Sequence, residues 1–226
     1  MNTSSKRPHT LDLKSRIAQA CYPVFQTISG QPSARKYNLS ISHQYRFIWF
    51  RVAKNGTRTL LRTLKNHDVP LDVEHVFATR YPIRRFSAYY KFAVVRNPWD
   101  RLVSCWFAKI LRKNAFNLES EHHEELKNFP AFVDFVASRD IENCDAHYAS
   151  QSSLIDLNEL DYLGRMETFE EDILHVFSRI GVVSRGISVT NVSETRGHYA
   201  EYYTDSLQKQ VGKIYRKDIQ IFGYSF

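Results

Sequence analysis

The chain has 226 residues, 43% of them hydrophobic, enough to bury a full core and make one globular domain at the usual ~150 residues per domain. Its 31 Lys and Arg against 24 Asp and Glu give a formal charge of +7, which favours anionic partners; no block of five consecutive basic residues occurs, so a nucleic-acid tail is disfavoured. Cys21, Cys105 and Cys144 show no C-x-x-C spacing, so neither a disulfide framework nor a zinc cluster is suggested, and a reducing cytoplasm is the expected setting.

Residues 1–44 are polar and mixed and read as a loosely structured lead-in, with one helix over 11–20; the basic start has no apolar h-region behind it, and no stretch of about 18 apolar residues follows anywhere. No signal peptide or membrane anchor is therefore expected. The domain proper is placed at 45–226.

Residues 45–64 read as strand, loop and helix. Phe47, Ile48, Trp49, Phe50 and Val52 have the aromatic and β-branched character of a buried strand, while Leu60, Leu61 and Leu64 recur at helical spacing. Between them lie Lys54, Asn55, Gly56 and Thr57. A glycine, free amides at a helix start, a lysine and a hydroxyl are what a phosphate or sulfate group needs, although an ordinary strand-turn-helix fits the same residues. The second glycine and the Gly-Lys-Ser/Thr ending of the Walker loop are absent, which argues against a standard ATP or GTP loop.

A short apolar segment at 72–77 follows, expected to end about His75 at a strand edge or strand-to-loop junction. By itself that histidine reads as a surface or structural residue. In Y-Y-K-F-A-V-V-R-N-P-W-D-R-L-V-S-C-W-F, residues 89–107, the run Phe92 to Val95 suits a parallel strand covered on both faces. Arg96 ends the strand, and Pro98 opens a helix that carries Arg101 and Ser104. Ligands bind at the carboxyl edge of open α/β sheets, so this loop and the Lys54 loop should face one crevice. The alternative for Arg96 is an ion pair with Asp100 or another acid, although the end of a strand before a Pro-opened helix is an unusual place for an arginine that serves only for solvation.

Residues 112–128, including His122 and His123, read as a solvated face; adjacent histidines on a helix point about 100° apart and do not share a metal. Helices are expected over 130–138, 167–180 and 207–219, with a strand over 161–166. Strand and helix alternate three times. The fold class is thus α/β, a single domain with a central parallel sheet and helices on both faces. The polar loop 191–203 carries Thr195, Arg196 and Gly197, a third candidate anion contact or simply a surface loop.

Together these segments resemble the sulfotransferases that use 3'-phosphoadenosine 5'-phosphosulfate (PAPS), in particular the branch containing carbohydrate sulfotransferases. R-V-A-K-N-G-T resembles their 5'-phosphosulfate loop, and F-A-V-V-R-N-P-W-D-R-L-V-S-C-W their 3'-phosphate motif. Y-L-G-R-M-E-T-F-E-E-D and the ending I-Y-R-K-D-I-Q-I-F-G-Y are similar to further family segments. The resemblance implies a P-loop NTPase-like sulfotransferase fold. It also implies that Lys54, Asn55, Gly56, Thr57, Arg58 and Thr59 cradle the phosphosulfate, that Arg96 and Ser104 bind the 3'-phosphate, and that Arg196 and Gly197 close over the nucleotide.

His75 lies 21 residues before Arg96, where the heparan 2-O-sulfotransferases place their base. The implied reaction is in-line transfer of a sulfuryl group to an acceptor hydroxyl, with an acidic glycan suited to the positive charge and no metal required. Ala53 stands where relatives have proline, and Arg58 where they have Thr or Ser; Arg58 either adds charge to the sulfonate pocket or points outward. A P-loop-like kinase and a non-catalytic nucleotide or glycan binder are the alternatives. The acceptor and the oligomeric state have no readable motif.

Overall fold

A computed structural model of the chain describes residues 31–184, 186–187 and 197–226, together with 13, 16, 17, 20 and 21. Those five isolated residues are helical, and the rest of the helix expected over 11–20 lies outside the described residues.

Five strands form the sheet, β1 (Tyr37–Ser42), β2 (Phe47–Phe50), β3 (Val73–Thr79), β4 (Tyr90–Val95) and β5 (Tyr162–Arg165), in the order β3-β1-β2-β4-β5. β2, β4 and β5 are parallel, with Phe50 opposite Ala93 and Ala93 opposite Leu163. β1 runs against both of its neighbours, so the sheet is mixed rather than wholly parallel. The reason is the tight turn between β1 and β2, where Arg46 takes φ 51 and the chain reverses instead of crossing over. β1 lies inside the stretch expected to be a lead-in. Its sequence alternates Tyr37, Leu39 and Ile41, all buried, with Asn38, Ser40 and Ser42, the period-two pattern of a strand.

β3 is longer than expected and irregular. Ile41, Leu39 and Tyr37 of β1 pair with Val73, Val76 and Thr79, so twice over three residues of β3 face two of β1. These are bulges, and His75 sits in the first of them, within the strand rather than at its end.

One sheet face packs Phe47, Trp49, Phe92 and Val94 under Leu60 and Leu64 of α1 (Thr57–Asn66) and under Phe169, Ile173, Val176 and Phe177 of α5 (Phe169–Ile180). The other buries Leu39, Ile41, Phe50 and Val95 against Tyr81, Phe86, Ile155 and Phe222, the last from the C-terminal helix α7 (Arg216–Phe222). Beyond the carboxyl edge of the parallel strands lies a third cluster. It joins Trp99 and Trp106 of α2 (Pro98–Trp106) to Phe132, Val133 and Val136 of α4 (Phe129–Ala137) and Val211 of α6 (Asp205–Ile214).

α2 runs on into a π-helical turn, Phe107–Leu111, and the short α3 (Ser120–Glu125) lies in the polar stretch that follows. The single helix expected over 207–219 is two, broken at Tyr215 (φ −102, ψ 22). There the buried ring turns inward and its hydroxyl donates to the Tyr148 carbonyl at 2.6 Å, a bond that fixes the position of the break.

Candidate active site

The loop after β2 is built for close approach. Lys54 and Gly56 both take left-handed backbone angles, φ 74 and φ 68, and α1 starts directly from Gly56 with no side-chain cap and no acidic residue in its first turn. A methyl group on Gly56 would meet Met166 Sδ at 2.7 Å and Phe169 at 3.1 Å, so a side chain there would have to displace Met166 as well as adopt an angle that favours glycine. The uncapped first turn presents amides and the positive end of the helix dipole. Two guanidiniums draw the loop's carbonyls inward: Arg101 Nε donates to Ala53 O at 3.0 Å and Arg96 Nη1 to Lys54 O at 3.3 Å. In trans peptides this directs the N–H groups of Lys54 and Asn55 away from both arginines.

Gln151 ties this loop to the one after β4. Its Oε1 accepts from Asn55 Nδ2 at 2.7 Å and from the Arg96 amide at 3.0 Å, while its Nε2 donates to Arg96 O at 2.8 Å. Asn55 Nδ2 also reaches Val94 O at 2.8 Å. Gln151 is itself gripped by Asp218 of α7, fully buried, whose carboxylate accepts the amides of Gln151 at 2.6 Å and Ser152 at 2.9 Å. A buried carboxylate on two amides is satisfied where it stands.

At the head of α2, Asn97 Oδ1 accepts from the Trp99 amide at 3.0 Å and, more weakly, from that of Asp100 at 3.4 Å, with Pro98 as the first helical residue. Asn97 Nδ2 donates to Ser225 O, which joins the C-terminal residues to the loop. Arg96 donates through Nε to Asp100 at 2.7 Å and approaches it through Nη2 at 2.6 Å, so the ion pair is formed and holds the guanidinium beside Lys54 O.

Lys54 is held unusually acidic for a lysine, down to about 8, because burial penalises its charge; Cys105 opposes that shift, while Lys109, Arg96 and Arg58 reinforce it. Arg58 is exposed on the first turn of α1, yet its charge reaches Lys54 and Lys109. Thr57 Oγ1 lies 3.5 Å from Val52 O, and Thr59 is half-buried one residue from Arg58. Ser104 is half-buried on α2, beside Cys105, whose thiol burial pushes up to about 12 while Lys54 opposes the rise.

Lys54, Asn55, Gly56, Thr57 and Arg96 are thus gathered at one sheet edge. His75 lies across the sheet from this group: its neighbour Val76 is level with Leu39 and, across it, with Phe50, the last residue of β2 before the Lys54 loop, so His75 stands near the same edge with β1 between β3 and β2. Its ring meets Phe77 edge to face at 5.7 Å. Arg196 lies outside the described residues, and Gly197 is exposed with φ 71. Among the described residues no group of His, Cys, Asp and Glu is placed to hold a metal, and no helix is long and apolar enough to cross a membrane.

Two residues that join the loops lie far along the chain from both: Gln151, which falls in no motif, and Asp218, which falls in the segment I-Y-R-K-D-I-Q-I-F-G-Y. Arg101, 2% exposed, donates three hydrogen bonds to backbone carbonyls: to Ala53 O at 3.0 Å, Ala149 O at 2.7 Å and Ala146 O at 2.9 Å. Its signal was available, a cation set within the apolar stripe of a core helix between Trp99 and Leu102.

Residues 37–225 match the Sulfotransferase family. Among curated proteins the chain is similar to Carbohydrate sulfotransferase 10 of Xenopus laevis, 22% identical over 173 residues, which are 62% of this chain and 48% of that protein. It is also similar to Carbohydrate sulfotransferase 11 of Mus musculus, 25% identical over 195 residues, 73% of this chain and 52% of that protein, and to the same protein of Rattus norvegicus at the same identity and coverage. The chain therefore spans about half the length of these relatives. No solved structure gives a significant match.

Proposed function

Since the chain belongs to the Sulfotransferase family, we propose that it transfers a sulfuryl group from PAPS to a hydroxyl of a carbohydrate, leaving 3'-phosphoadenosine 5'-phosphate (PAP). The observation that carries this reading is the set of cations at the uncapped start of α1. Lys54 is partly buried within electrostatic reach of Lys109, Arg96 and Arg58, each of which makes its charge costlier, and an anion at that turn would offset them. The residues present therefore fit a phosphosulfate. When bound, the donor supplies an activated sulfonate with a phosphate leaving group.

In this reading the chain's own residues position and neutralise. Lys54 meets the charge that develops on the leaving oxygen, and the first-turn amides with the Thr57 hydroxyl complete the cradle. Asn55 supports the loop through Val94 and Gln151. Arg96, steadied by Asp100, reads the 3'-phosphate together with Ser104. Proton removal from the acceptor falls to a histidine, for which spacing along the chain offers His75 as one candidate. A carbohydrate acceptor is supported by the names of the similar proteins and agrees with the charge of +7.

Calorimetric titration with PAP, followed by transfer of radiolabelled sulfate from PAPS to desulfated heparan and chondroitin chains, tests the proposal. Tight PAP binding with label incorporation supports it. PAP binding with no transfer to any glycan reduces the protein to a nucleotide binder.

A further inference from the structure

Arg101 brings together two places that the sequence keeps apart. One guanidinium donates to Ala53 O at 3.0 Å and to Ala146 O at 2.9 Å, so the residue after each carbonyl, Lys54 in one case and His147 in the other, stands at the same end of the sheet. The third bond, to Ala149 O, closes the segment 146–149 around the same side chain.

His147 is oriented as a base would be. Its Nδ1 lies 2.7 Å from Asp145 Oδ1, and that same oxygen accepts the His147 amide at 2.9 Å, so both ring and backbone are tied to one carboxylate. With Nδ1–H donated to Asp145, the lone pair is on Nε2. Phe116 packs edge-on to the ring at 6.3 Å, and about a third of the side chain remains exposed, which leaves room for an acceptor. Lys109, from the π-helical turn after α2, acts on both Lys54 and His147; single π turns are frequent at functional sites.

We infer that His147 is the group that takes the proton from the acceptor hydroxyl, with Asp145 as its positioning residue. The inference rests on the sulfuryl-transfer reading and supplies its base from the segment that Arg101 ties to the Lys54 loop instead of from β3. The hydroxyl proton passes to Nε2 as the acceptor oxygen bonds to sulfur. The bond between sulfur and the 5'-phosphate oxygen breaks, its electron pair stays with that oxygen beside Lys54, and His147 then gives the proton to water. Burial, opposed by the bond with Asp145 and reinforced by Lys109 and Lys54, holds the imidazole below its ordinary value, so it is unprotonated at neutral pH.

The test uses the full chain, PAPS with radiolabelled sulfate, and desulfated heparan and chondroitin as acceptors. His147→Ala should lower kcat by ~10²-fold or more with PAP affinity within about twofold, and His147→Asn serves if the alanine variant does not fold. Asp145→Asn removes the bond that raises the imidazole pKa, so the acidic limb of the kcat profile should move to lower pH, a change that a merely structural carboxylate would not cause. Unchanged kcat in the folded His147 variants, or loss of turnover in His75→Ala alone, overturns the inference while leaving sulfuryl transfer standing. Wild-type protein that binds PAP and transfers to neither glycan overturns the transfer reading, and the base assignment with it.

Discussion

The loops after β2 and β4 have the same plan, a strand running into a helix at one sheet edge, yet they treat their helix ends in opposite ways. α2 satisfies its own N-terminus: Asn97 accepts two first-turn amides, Pro98 removes a third donor, and Asp100 adds a negative charge. α1 has no side-chain cap and no first-turn acid, and its entry passes through two left-handed residues. An open helix start offers amides and dipole to an anion, whereas a closed one can recognise an anion only through side chains such as Arg96 and Ser104. In the proposed reading the two phosphate ends of one nucleotide would thus be read by different physics, backbone at the 5' side and guanidinium at the 3' side.

The largest expected effect is at the open loop: Lys54→Ala should lower kcat by ~10²–10³-fold, measured by sulfate transfer, as the loss of an oxyanion-type contact does. At the closed loop, Arg96→Ala should weaken PAP by ~10–100-fold, the worth of a charged hydrogen bond, and adenosine 5'-phosphate far less. Equal losses for the two nucleotides would show that Arg96 does not read the 3'-phosphate. pH offers a third way to separate the loops. Lys54 titrates at about 8 in the folded protein, so PAP affinity should fall above pH 8, by up to about tenfold per unit, with proton uptake on binding visible as a buffer-dependent heat. Because the unfolded chain holds that proton to higher pH, the free protein should gain stability between about pH 8 and the ordinary lysine range; a flat stability profile there would contradict the buried cation. The smallest effect belongs to the cap. Asn97→Ala should cost ~1 kcal/mol, roughly 2–4 °C in Tm, with PAP affinity nearly intact.

Both strand-loop-helix units are legible in the sequence because each is local. Apolar run, turn residues and 3.6-residue periodicity lie within about twenty positions, and the family motifs fall on the same residues. β1 was legible in principle from its alternation, but the polar composition around it masked a six-residue strand. What joins the two loops is not local at all. Asn55 reaches Gln151 across 96 residues and Arg101 reaches Ala53 and Ala149 across 48 each, and nothing in a glutamine or an alanine announces such a partner. His147 was invisible for the same reason, since its place beside Lys54 exists only through Arg101. For His75, spacing along the chain is a one-dimensional measure; what it could not show is that the residue sits in a bulge of β3, with β1 between it and β2.

Asp218 has a further consequence for how the site comes into being. The loops of Lys54 and Arg96 are held together by Gln151, and Gln151 by a carboxylate on α7, near the chain's carboxyl end. Closing that circuit requires contacts across 55, 67 and 96 residues, long loops whose entropy opposes early formation. Catalytic geometry is therefore a late event in folding: a nascent fragment ending before α7 carries every recognisable motif of the donor site and lacks the clasp that sets the distance between them.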